Sequence, residues 1–168
     1  LEKVPHVRLE VRENSNLYYV RYEDSFPLKN TVYKKLYLDI KGKLLSDIKV
    51  KNEGFLESNA LSDSVAFDYQ FEEDTELTGY MHLKLWISVL DNDDLDLFVV
   101  VQKLDQNKNS VPFLGVAGYV WDVVTRGWLR VSQRELDEQL STNYQPVLKH
   151  KGEKKIKPGE IVSILVPI

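Results

Sequence analysis

Several short stretches of this chain alternate apolar and polar residues one by one. Val7, Leu9 and Val11 alternate with Arg8, Glu10 and Arg12, and a period of two puts each set on its own face of a half-buried strand. Asn14-Ser15-Asn16 is a turn, and Leu17 to Tyr22 predicts a second strand. The strongest pattern lies further on. Leu77, Gly79, Met81, Leu83, Leu85, Ile87 and Val89 share one parity; Thr78, Tyr80, His82, Lys84, Trp86 and Ser88 share the other. A helix would scatter those apolar residues around its axis, whereas a strand stacks them on one face. Asp91 to Asp94 ends that strand, and Leu95 to Leu104 predicts the next, with Phe98-Val99-Val100-Val101 buried on both faces. These two strands are expected at the centre of the sheets.

Weaker signals fill the rest. Lys35 to Asp39 is strand-like and Lys41-Gly42-Lys43 turns the chain. Asp47 to Ser64 has no periodicity and predicts a long surface connection, an uncommon length inside a domain. Val65 to Phe71 is extended again, and Asp105 to Asn109 is turn-like. Ser132 and Glu135 have capping-box spacing ahead of Leu136 and Leu140, so a short helix from Gln133 to Gln139 competes with a polar surface turn. Tyr144 to Lys149 is extended, and Glu160 to Val166 is the last strand. Many short strands, long connections and almost no helix predict an all-β, mainly antiparallel β-sandwich or jelly roll.

Length and composition narrow the class. With 168 residues, 43% hydrophobic and 29% charged, the chain suits one soluble domain with a core of its own. The net charge of −4 gives nucleic-acid phosphates no general attraction. No apolar run approaches the roughly 20 residues that span a membrane, and Leu1-Glu2-Lys3-Val4-Pro5 is not a signal peptide. Nucleic acid and membrane are therefore not expected partners. There is no cysteine, so this stretch holds no disulfide, thiolate nucleophile or Cys-ligated metal. That suits the cytoplasm, the expected compartment. Neither the start at Leu1 nor the stop at Val166-Pro167-Ile168 looks like a natural end, and a piece of a longer protein is expected.

Candidate chemistry is sparse. Asp91, Asp93, Asp94 and Asp96 invite a calcium reading, because calcium takes several oxygen ligands. The spacing fails the EF-hand loop, and a charged turn between two core strands, with Asp96 holding backbone amides, is the simpler reading. A glycosidase-like carboxylate pair is a lesser alternative. His6, His82 and His150 have no zinc-ligand spacing. No serine sits in G-x-S-x-G, and both glycine-rich phosphate loops are missing. Lys149, Lys151, Lys154, Lys155 and Lys157 form a basic run, read as a solvated hairpin or edge in preference to an anion patch. Tyr80, Trp86, Tyr119, Trp121 and Trp128 suit either a sugar platform or the interface with an adjoining domain. Trp86 shares the non-core parity of its strand, so it meets something other than the first core layer. From these residues no catalytic, cofactor or metal position is assigned, and no cofactor is expected.

The stretch Gly127-Trp128-Leu129-Arg130-Val131-Ser132-Gln133-Arg134-Glu135-Leu136-Asp137 resembles a known family. So do Phe26-Pro27-Leu28 with Leu36-Tyr37-Leu38, Leu77-Thr78-Gly79, Asp94 to Val99 with Lys103-Leu104-Asp105, and Pro146 to His150. The order of these pieces is similar to that in the C-terminal domain of α/β-hydrolases of the X-Pro dipeptidyl-peptidase and cocaine-esterase (CocE/NonD) type. The resemblance covers essentially the whole chain. It implies a jelly-roll sandwich of the galactose-binding-like class, spanning residues 1–168 and truncated before its closing strands. It further implies packing on a catalytic α/β-hydrolase domain of the same polypeptide, which carries the Ser, Asp and His. None of that triad falls on this sequence. The leading expectation is a non-catalytic accessory domain of a serine acyl hydrolase that also shapes the substrate pocket. The alternatives are an independent carbohydrate-binding module and a free-standing carboxylate enzyme. Assembly into a homo-oligomer is left open.

Overall fold

The computed structural model describes residues 4–51 and 54–168. The positions at the extreme start, Leu1 to Lys3, and residues 52 and 53 of the expected long connection lie outside the described residues. In chain order the described strands are β1 (Val7–Arg12), β2 (Tyr18–Glu23), β3 (Tyr37–Asp39), β4 (Leu44–Ser46) and β5 (His82–Ile87). They continue with β6 (Asp96–Val101), β7 (Lys103–Leu104), β8 (Ser110–Val111), β9 (Thr125–Arg130) and β10 (Val162–Pro167). Among the described residues helix is limited to two short 3₁₀ turns, Val116–Gly118 and Val131–Gln133. The chain is all-β, and every named ladder is antiparallel.

Two units divide the chain: Leu1–Lys29 with Thr78–Ile168, and Asn30–Leu77. The first contains the core. There β5 pairs with β10 and β6 pairs with β9. Leu83, Leu85 and Ile87 of β5 face the same cluster as Val162, Ile164 and Val166 of β10. Leu97 and Val99 of β6 and Leu129 of β9 reach that cluster from the other ladder. Two antiparallel ladders therefore turn their inner faces onto one core, the two-layer arrangement of a sandwich. Val131 and Val166 are fully buried, and Leu129, Ile156 and Ile164 nearly so. The parity read from Leu83 to Val89 is the parity that packs.

Gly127 holds the two layers close. A Cβ added there would lie less than a van der Waals contact from the Pro167 carbonyl oxygen, at 2.1 Å, and 3.1 Å from Ile168 Cγ1. Glycine is the residue that lets another backbone approach a strand this closely. The hairpin β1–β2 belongs to the same unit and keeps register from Val7↔Glu23 to Arg12↔Tyr18. Its turn is closed by Asn14, whose side-chain oxygen accepts from the Asn16 and Leu17 amides at 2.8 and 2.9 Å. The short β7–β8 hairpin is closed likewise by Asp105, which accepts from the amides of Asn107 and Asn109, both at 2.8 Å.

The second unit pairs β3 with β4, and the amide of Leu45 donates to the Asp68 carbonyl at 2.7 Å. Lys34, Asp47 and Tyr69 tie its ends together. The Lys34 ammonium lies 2.7 Å from Asp47 Oδ2 and donates to the Tyr69 hydroxyl at 3.1 Å. That hydroxyl donates to Asp47 Oδ1, also at 3.1 Å. The hydrogen bond to Asp47 raises the Lys34 ammonium above its ordinary value, and the same contact lowers the Asp47 carboxyl. No named strand lies in the described residues between Asp47 and Ser64, in keeping with the expected connection. Val65 to Phe71 is extended but makes only the single bridge at Asp68.

Three expectations are corrected, and the open choice between helix and turn at Gln133–Gln139 is resolved. Phe98 to Val101 is not buried on both faces: Phe98 is 79% and Val100 52% exposed, and only the inward parity packs. An apolar run on one strand of a two-stranded ladder looks the same in sequence whether its second face is covered or bare. The long strand expected from Leu77 begins only at His82, after Gly79 at φ +146°. The strand expected from Leu95 to Leu104 divides at Gln102 into β6 and β7. The Gln133–Gln139 helix does not form. Ser132 turns toward the Asp94 carboxylate, to which its amide donates, Glu135 pairs with Lys149, and Leu136 bridges antiparallel to Leu148. Those partners come from distant sequence and outweigh the local capping signal.

Candidate functional site

The acidic turn is a structural junction. Asp94, not Asp96, holds the backbone amides. Its Oδ1 accepts from Leu95 N at 3.0 Å and from Ser132 N at 2.8 Å, and its Oδ2 accepts from Lys155 Nζ at 3.2 Å. Burial by itself would raise the Asp94 carboxyl, but the donors of Ser132, Leu95 and Lys155 outweigh it and hold the group down to about 2. Asp96 instead takes a two-pronged contact from Arg130, Nε at 2.8 Å and Nη2 at 3.0 Å. That pair sits at register position Asp96↔Arg130 on the outer face of the β6–β9 ladder. It lowers the Asp96 carboxyl and raises the Arg130 guanidinium. Backbone amides, an ammonium and a guanidinium thus engage the oxygens of Asp94 and Asp96, two of the four carboxylates in the calcium reading. Among the described residues no three His, Asp or Glu side chains converge as a metal site requires.

The histidines stay apart in role. His6 Nδ1 faces the Asp24 carbonyl at 3.2 Å and His82 Nδ1 faces the Tyr144 carbonyl at 3.4 Å; in the Nδ1–H tautomer each donates to that oxygen. His150 sits at φ +49° just ahead of the bend at Lys151-Gly152. The basic run is partly neutralised. Lys149 pairs with Glu135 at 2.9 Å, and Lys155 lies among Asp93, Asp94 and Glu153. This is a solvated, charge-paired surface.

The aromatic residues do not form one platform. Tyr80 stacks on Tyr144 at 6.3 Å and receives Phe26 edge-on at 5.3 Å. Trp86 is exposed, with the Lys84 ammonium 5.0 Å over its ring. Trp128 is exposed on the β6–β9 ladder, directly opposite Phe98. Tyr119 and Trp121 are exposed in the loop after Val116–Gly118.

One feature had no signal in the sequence. Arg12, Phe113, Leu114, Gly115 and Asp122 line an open cleft of about 420 Å³. Arg12 donates to the Leu114 carbonyl at 2.7 Å and to Glu10 Oε2 at 2.9 Å, and Arg126 pairs with Asp122. Its charges are engaged by one another, and residues this far apart in sequence announce no shared cleft. No helix among the described residues is long and apolar enough to cross a membrane.

These features define an antiparallel β domain whose charged groups serve its own turns and ladders, with its boldest apolar residues outside. Residues 1–168 match the model of the X-Pro dipeptidyl-peptidase C-terminal non-catalytic domain, and the chain belongs to that family. It is also similar to a CocE/NonD family hydrolase from Staphylococcus aureus in two crystal structures. One superposes with a TM-score of 0.92 at 39% identity, the other with 0.87 at 38%. In both, 98% of this chain is covered but only 30% of the hydrolase chain, so this chain spans about a third of its structural relative. No curated protein sequence matches it.

Proposed function

We propose that this chain is the accessory domain of a serine acyl hydrolase of the peptidase, esterase or acylase type. On this reading it has the jelly-roll order of the galactose-binding-like class, packs on the catalytic domain of the same polypeptide in the cytoplasm, and shapes one wall of the substrate pocket. The observation that carries the reading is the family match, over all 168 residues, to a domain described as non-catalytic. The likeness to under a third of a hydrolase chain supports it.

Surface area supports it independently. The chain exposes 13531 Å². A compact monomer of its mass exposes about 8,500 Å², and two separate compact bodies the size of its two units about 10,000 Å². Exposed Ile48, Phe55 and Leu61 in the second unit offer apolar material for a pocket wall.

The test begins with the complete open reading frame. The reading expects G-x-S-x-G outside residues 1–168, and loss of all turnover when that serine is replaced by alanine. A complete polypeptide with no such motif, or full turnover without that serine, overturns it. Saturable glycan binding weakened by Trp121→Ala would instead favour a carbohydrate-binding module.

A further inference from the structure

The outer face of the β6–β9 ladder has an apolar centre and a charged rim. Phe98 stands directly opposite Trp128, and Val100 follows along β6. All three are exposed, Trp128 at 64%. At one end Asp96 and Arg130 hold each other, and at the other Arg126 pairs with Asp122. Aromatic centres inside polar rims, with tryptophan and arginine prominent, are the anatomy of protein interfaces.

The other outer faces differ. On the β5–β10 ladder Trp86 stands opposite Ser163, and Lys84 covers its ring. On β1–β2 the residues Arg8, Glu10 and Arg12 run along one strand as linked ion pairs at 2.7 and 2.9 Å, opposite exposed Tyr22, Val20 and Tyr18 on the other strand. The β6–β9 face is the one among these three with large apolar side chains paired across both strands.

We infer that this face is the surface on which the catalytic part of the same polypeptide docks. The inference rests on the reading proposed above and deepens it by naming the contact. Two observations identify the occupant. More than two thirds of the matched hydrolase chain lies outside the region this chain covers. The surface exposed beyond that of compact bodies, about 3,500 Å² over the whole chain, exceeds the roughly 1,000–2,500 Å² that one partner contributes to an obligate interface. The rim charges are already paired within the chain, so the face suits an apolar patch and not a polyanion.

Hydroxyl-radical footprinting of the complete polypeptide, read by mass spectrometry residue by residue, tests this. Trp86 serves as the internal reference, since it is as exposed in this chain as Trp128, at 66% against 64%. Trp128 and Phe98 should oxidise about fivefold more slowly than their exposure here implies, as interface cores exclude water. Trp86 should oxidise at its full rate. The protection should persist on dilution, with the polypeptide at monomer mass. Protection of Trp86 with free oxidation of Trp128 overturns the face while leaving the accessory-domain reading intact. Protection that vanishes on dilution assigns the face to a second copy and also overturns the inference. A complete polypeptide without a hydrolase region removes both. A second arm uses Trp128→Ser and Trp86→Ser in the complete polypeptide: only Trp128→Ser should speed release of this domain by limited proteolysis, and equal release rates refute the assignment.

Discussion

Replacing Gly127 by alanine probes the closeness of the two layers. The new Cβ would sit 2.1 Å from the Pro167 carbonyl oxygen and 3.1 Å from Ile168 Cγ1. The oxygen belongs to backbone, so no rotamer change relieves the contact; β9 and the end of β10 must separate by about 1 Å. Overpacking of this kind costs about 1–3 kcal/mol and sometimes more. Loss of unfolded-state freedom returns about 0.4–1 kcal/mol. The net expectation is a destabilisation of about 1–2 kcal/mol, or roughly 2–8 °C in Tm for a chain of this size. Urea unfolding followed by tryptophan fluorescence measures it, because Trp86, Trp121 and Trp128 all lie in the unit that holds the core. The control is Gly118→Ala. Gly118 has φ +80° and open space around it, so only left-handed backbone strain of about 1–2 kcal/mol acts there. The two variants separate by mechanism: adding a Pro167→Ala change leaves the carbonyl in place and should not rescue Gly127→Ala. Stability of Gly127→Ala within 0.5 kcal/mol of the parent would refute the close approach.

Three further outcomes follow from the same structure. Asp94 is depressed to about 2 from an ordinary 3.8, so its contribution is present above pH 4 and disappears as pH falls toward 2. Asp94→Asn should cost about 1–2 kcal/mol at pH 7 after allowing for solvent screening, with the gap to the parent closing between pH 4 and pH 2; a gap independent of pH would contradict the role given to its charge. Leu129→Ala should cost about 2–5 kcal/mol by opening a cavity in the core, whereas Phe98→Ser on the outer face should change the stability of this chain by under about 0.5 kcal/mol in the same urea titration. Equal losses would show that Phe98 is not an outward residue. Lys34→Met, which removes an exposed ion pair with Asp47, should shift the urea midpoint only slightly, and the shift should shrink in high salt.

Strand parity was legible where one face of a strand meets the core. Leu83, Leu85, Ile87 and Val89 announce their face because their neighbours are polar or amphipathic. The same reasoning failed at Phe98 to Val101, where outer-face apolar residues imitate a doubly buried strand. A capping-box spacing at Ser132 and Glu135 was outweighed by partners at Leu148 and Lys149, which lie beyond any local window. The acidic stretch was legible as a charged turn with one carboxylate on backbone amides, but that carboxylate is Asp94 and not Asp96. Choosing it over Asp96 depends on where the Ser132 amide arrives, 38 positions later. The need for glycine at 127 was equally hidden, because the obstructing oxygen belongs to Pro167. Family membership was legible in the order of several short motifs, although no one of them carries chemistry.

The decisive assay offers X-Pro dipeptide anilides and short acyl esters to the purified 168-residue chain and, in parallel, to the complete polypeptide. The chain should give no turnover above buffer, and the complete polypeptide ready turnover. Reproducible turnover by the chain, abolished by a single substitution within it, would mean that these residues carry a catalytic site of their own.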